Sequence, residues 1–88
     1  MNIIFTACFE RHLRRLKSKS SLLFSQLSKK LVEVCHNPEH YKPLKGLLKG
    51  LRRAHIGSFV LVFEVVGDSV VFHLVEHHDY AYKKVNFL

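Results

Sequence analysis

Eighty-eight residues allow one domain and no more, and 48% apolar residues with seven Phe supply a packed core, which excludes a disordered chain. Fourteen Lys and Arg against seven Asp and Glu leave a net charge of +7, a surplus suited to a polyanion or an acidic protein. No stretch approaches the roughly eighteen apolar residues of a membrane helix, and residues 2–9 are too short and lack the basic start of a signal peptide. The expected setting is therefore the cytoplasm, with no membrane partner.

In chain order, Asn2–Ala7 (NIIFTA) is β-branched and aromatic and predicts a strand. Phe9, Leu13 and Leu16 then fall at i, i+4 and i+7, predicting a helix over Phe9–Lys17 whose other faces carry arginines. A break at Ser18–Ser21 holds a capping serine. A second helix follows to about Cys35, with Leu23, Leu27, Leu31 and Val34 on one side. Two consecutive amphipathic helices predict a hairpin laid on a sheet. Cys8 and Cys35 form neither a disulfide framework nor a zinc pattern, and both are expected as free thiols at the core edge.

Pro38, Pro43, Gly46 and Gly50 punctuate a basic loop at residues 36–50. The period then switches to two, predicting antiparallel strands over Leu51–Ile56, Phe59–Val66 and Ser69–Glu76. Gly57-Ser58 marks one turn and Gly67-Asp68 another, the second with the Gly-first pattern of a II′ hairpin. Residues 77–84 read as a polar, aromatic tail of at most one helical turn, and Val85–Leu88 closes on apolar residues. The expected fold is a single α+β domain, β-α-α-β-β-β, with two N-terminal helices packed on a four-stranded, mainly antiparallel sheet. The sheet's other face is then the surface for a ligand.

Three features carry chemistry. Lys42, Lys45, Lys49, Arg52 and Arg53 stand within residues 42–53 without an acidic residue, and Arg11, Arg14, Arg15, Lys17 and Lys19 form a second block. His55 lies near the end of one strand and His78 just past the end of the last, so both can reach one rim of the sheet. Imidazoles suit a general base and a general acid in one cycle, and a lysine such as Lys42 can neutralise charge developing on a phosphate. Tyr82 offers a ring for stacking on a base. His77-His78-Asp79 resembles half of a metal site, but no fourth ligand is grouped with it, so neither metal nor cofactor is expected. His73 reads as structural, and His12, His36 and His40 have no evident partner.

KPLKGLLKGLRRAHIGSFVLVFEV, residues 42–65, resembles the central segment of RelE/ParE-superfamily toxins: a basic PLKG loop, a strand with an arginine pair, a Gly turn and an aromatic-led strand. HHDYAY, residues 77–82, resembles their C-terminal signature. Many RelE members carry an arginine where this chain has Val60. The YafQ-like branch has an aliphatic residue there and uses histidines instead, and this sequence is similar to that branch. On that resemblance, His55, His78 and Tyr82 match the branch's functional positions. Lys42 replaces a histidine, keeping a cation and losing a proton shuttle. Ser58 replaces an aspartate that would orient an imidazole.

The resemblance implies a type II toxin that cleaves mRNA at the ribosome without metal and is held inactive by an antitoxin. His78, His55, Lys42 and Tyr82 would act on the phosphodiester, and Lys45, Lys49, Arg52, Arg53 and Ser58 would contact RNA. The alternative is a non-enzymatic binding module: a ParE-like inhibitor of a topoisomerase, or a toxin relative that keeps only antitoxin binding. An acidic, partly disordered antitoxin suits the charge under either reading.

Overall fold

A computed structural model describes residues 2–85, without the side chains of Leu47, Lys84 and Val85. The apolar close expected at Val85–Leu88 therefore lies outside the described residues beyond the backbone of Val85.

Asn2–Phe5 forms the first strand, β1, and Thr6 starts the helix Ala7–Lys19, α1, by accepting the Phe9 amide on its hydroxyl at 3.1 Å. Ser20 then serves two helices. Its amide donates to the Leu16 carbonyl at 2.9 Å to close α1, and its hydroxyl accepts the Leu23 amide at 3.2 Å to open α2, Ser21–His36. The expected hairpin forms with a single residue at its bend. Phe9, Leu16, Leu27 and Val34 are buried between the helices and the sheet, while Arg11, Arg14 and Arg15 stay outside.

A 3-10 turn at Pro38–His40 leads to a two-residue strand, Lys42–Pro43 (β2), and a second 3-10 turn at Gly46–Leu48. The meander follows as Leu51–Ile56 (β3), Phe59–Val66 (β4) and Ser69–His77 (β5), ending in the helix His78–Val85 (α3). Gly57 and Gly67 take φ of +58° and +56°, while the serine and aspartate after them do not enter positive φ, as a II′ turn requires.

The sheet has five strands rather than the four expected, in the order β1-β5-β4-β3-β2, with β1 parallel to β5 and the rest antiparallel. The additional strand is β2. Proline is tolerated there because β2 is an edge, where one row of amides has no partner to lose.

Two cores result. Ala54, Ile56, Leu61, Phe63 and Phe72 face the hairpin, with Phe72 packed against Phe9 at 5.6 Å and Phe63 at 5.9 Å between ring centroids. Val60, Val62 and Leu74 face the other way, and Ala81 of α3 is buried on them. The sheet's second face is thus not an open platform: the tail read as polar folds back over its middle. A bulge makes this division possible. Val62 pairs with Leu74 but Phe63 pairs with Phe72, leaving His73 as the extra residue, so Phe72 and Leu74 reach opposite cores.

Candidate functional site

Alternation along β3 sends Ala54 and Ile56 under the helical hairpin, so Arg53 and His55 project from the α3 side. Residues opposed in an antiparallel register share a face. Lys42, opposite Arg53, therefore joins that side from the sheet's edge, while Arg52 and Pro43 belong to the other. The Arg53 guanidinium donates to the Tyr82 hydroxyl at 2.6 Å, which ties α3 to β3. Lys42, Arg53, His55 and Tyr82 consequently occupy one face.

A shallow cleft of about 270 Å³ opens among Lys42, Pro43, Leu44, Lys45 and Arg53. Three cations line it and no carboxylate does, so its chemistry suits a phosphate. A neighbouring cleft of about 420 Å³ is bordered by Lys45, Lys49, Gly46 and Gly50. Gly50 takes φ of +97°, a conformation that a residue with a Cβ would adopt only under strain, so the glycine is what shapes this loop.

His55 and His78 are both exposed. His55 lies opposite Val60, and Val60 lies opposite Glu76, two residues before His78. The His78 amide donates to the Ser58 carbonyl at 2.9 Å, anchoring the first residue of α3 beside the β3–β4 turn. Strand spacings of about 4.8 Å then set the two histidine backbones on the order of 10 Å apart at the same end of the sheet.

Sequence reasoning missed one partner. Asp79 Oδ1 lies 3.1 Å from His78 Nδ1, so a carboxylate does stand beside this imidazole, although Ser58 is not its source. The signal was the adjacency of the two residues at a helix start, where aspartate is favoured. Ser58 contributes its main-chain carbonyl, with its side chain exposed in the turn.

Arg52, expected among the RNA contacts of the basic loop, lines the second cleft and also braces the chain before β2. Its guanidinium donates to the Tyr41 carbonyl at 2.8 Å and the Glu39 carbonyl at 3.4 Å, so it pins the turn before β2 from the hairpin side. Two other histidines have structural partners. His73 Nε2 lies 2.7 Å from Glu64 Oε1, and buried His12 accepts the Val75 amide at 3.3 Å where β5 runs on past β1. Both cysteines are free and half-buried, and burial pushes the Cys35 thiol up from its ordinary value.

A sequence profile for the ParE toxin of the parDE type II toxin-antitoxin system matches residues 3–82. The chain belongs to the ParE toxin family. Its RelE/ParE kinship extends to a Methanocaldococcus jannaschii protein assigned as toxin RelE4, 38% identical over 78 residues that make up 85% of this chain and 83% of that one. Among solved structures, the YoeB/ParE toxin from Agrobacterium tumefaciens superposes with a TM-score of 0.80 at 14% identity, covering 89% of this chain and 99% of that one. YafQ from E. coli gives 0.77 at 16% identity, covering 92% and 97%. YafQ has also been solved in complex with DinJ. At these identities the structural likeness is one of fold. In this ParE-family chain Val60 is wholly buried beneath α3, where many RelE members carry an arginine.

Proposed function

We propose that this ParE-family toxin is a ribosome-dependent endoribonuclease. An RNA phosphate lies in the cleft of Lys42, Lys45 and Arg53, and the scissile bond spans the space between His55 and His78. One imidazole takes the proton of the 2′-hydroxyl as that oxygen attacks the adjacent phosphorus. The P–O2′ bond forms, the P–O5′ bond breaks, and the second imidazole protonates the leaving 5′-oxygen, giving a 2′,3′-cyclic phosphate and a free 5′-hydroxyl. His78 is the principal proton-transfer group, with Asp79 as its positioning residue, and His55 is the counterpart. Lys42 and Arg53 offset charge on the pentacoordinate phosphorus, and Tyr82 positions the neighbouring base. Lys49 and the remaining basic surface hold ribosomal RNA.

The observation that carries this reading is the shared face of Lys42, Arg53, His55 and Tyr82, with His78 at its rim. Its test is cleavage of mRNA on programmed ribosomes by purified protein. His78→Gln and His55→Gln should each slow cleavage by about 10²-fold or more with the circular dichroism spectrum unchanged. Full activity in His78→Gln would refute the assignment.

A second reading is favoured by the ParE profile and by buried Val60: a binding toxin that arrests growth by engaging a topoisomerase. Intact mRNA on ribosomes together with growth arrest and DNA damage would select it. Under both readings the partner is an acidic antitoxin. A groove of about 360 Å³ between outer strand β1 and α2, lined by Ile3, Phe5, Leu31, Val32, Cys35 and His36, supports that assignment with apolar surface beside a basic hairpin.

A further inference from the structure

Two imidazoles and a carboxylate meet where β5 passes into α3. His77 Nδ1 lies 3.4 Å from Asp79 Oδ2, and His78 Nδ1 lies 3.1 Å from Asp79 Oδ1. All three residues offer donor atoms within 4.8 Å of one another. Nitrogen and oxygen ligands at about 2.0–2.1 Å from a tetrahedral ion stand roughly 3.3 Å apart, so the spacing of His78 Nδ1 from Asp79 Oδ1 matches an edge of that polyhedron, while His77 Nδ1 approaches the other oxygen of the same carboxylate. We propose that His77, His78 and Asp79 form a site for a borderline divalent cation, Zn²⁺, with water completing the coordination.

The donor set fits that ion better than Mg²⁺ or Ca²⁺, which call for oxygen ligands throughout. The ligands are also held in place. The His77 ring packs edge-on to Phe59 with centroids 5.8 Å apart, and its amide donates to Glu76 Oε1 at 3.0 Å. The His78 amide is fixed on the Ser58 carbonyl. Two terms oppose binding: the ion displaces the Asp79 amide from His77 Nδ1, now 3.2 Å away, and it joins a chain already carrying +7. Three protein ligands against these costs give a reversible site rather than a permanent structural one. Bound there, the ion occupies the imidazole assigned to proton transfer and holds the toxin inactive. This consequence rests on the nuclease reading; the site itself does not.

The test is calorimetric titration of Zn²⁺ into the full, tag-free chain, with Co²⁺ absorption as a second readout of tetrahedral coordination. One equivalent should bind, and His77→Gln and Asp79→Asn should each weaken it by at least about tenfold. His36→Gln and His40→Gln should leave it unchanged. Undiminished affinity in the His77→Gln/Asp79→Asn double variant, or no saturable one-to-one binding, would overturn the proposal. In the cleavage assay, Zn²⁺ should stop the wild type at concentrations that spare His77→Gln. One equivalent bound with cleavage unaffected would retain the site and remove His78 from the reaction, so the two readings fail separately.

Discussion

Tyr82 shows how a residue expected to work by its ring has acquired a second task through its hydroxyl. The 2.6 Å bond from Arg53 sets the guanidinium beside Lys42, and the ring remains half-buried on α3. Substitution separates the two roles. Tyr82→Phe keeps the stacking surface and loses only the acceptor, whereas Tyr82→Ala loses both. In fluorescence anisotropy with a short single-stranded RNA, Tyr82→Ala should weaken binding by about 1–3 kcal/mol and Tyr82→Phe by clearly less. Equal losses would assign the whole effect to the orientation of Arg53. The same distinction applies at the rim: Asp79 stands against His78 as the anion that position 58 lacks, although it comes from a different element.

Among the elements, the hairpin and α3 are positioned in opposite ways. Ser20 closes one helix and opens the next, so the angle of the α1–α2 bend rests on a single side chain and its amide. Ser20→Ala removes the acceptor for the Leu23 amide and should lower stability by about 1 kcal/mol, read as a shift of the urea midpoint with unchanged slope. A midpoint unmoved by the substitution would mean that water replaces the cap at no cost. The short helix α3 is held instead by its surroundings: Ala81 on Val60, Val62 and Leu74, the His78 amide on Ser58, and Tyr82 on Arg53. An eight-residue helix is marginal by itself, so its order follows from the sheet beneath it.

At the scale of the molecule, charge and apolar surface are separated. The cationic clefts open at the β2–β3 edge, and the apolar groove lies at β1 and α2, on the far edge of the sheet. Under the proposed function, RNA and antitoxin would meet different edges of one small domain. No helix among the described residues is long and apolar enough to cross a membrane. If Lys42, Lys45, Lys49 and Arg53 each neutralise a phosphate, log affinity for single-stranded RNA should fall against log salt with a slope of roughly −3, or about 50-fold between 50 and 200 mM. A slope near zero in an anisotropy titration would exclude these clefts as a phosphate track.

Strands β3 and β4 run between the residues that alternation alone indicates, and the two helical stripes give α1 and α2 to within a turn, because those periods are local properties of the chain. The basic loop, the strand histidine and the terminal histidine were legible for the same reason: each is a residue type at a recognisable boundary. What required the tertiary structure was every feature defined by a distant partner. β2 exists only through its register with Arg52 and Arg53, α3 only through the valines it covers, and the bond from Arg53 to Tyr82 spans 29 residues. The bulge at His73 adjoins the carbonyls that Thr6 holds from 66 and 67 residues away. Periodicity records which face a side chain takes within its own element. Which face a neighbouring element then covers is decided by packing and register, and these arise only when the sheet has closed.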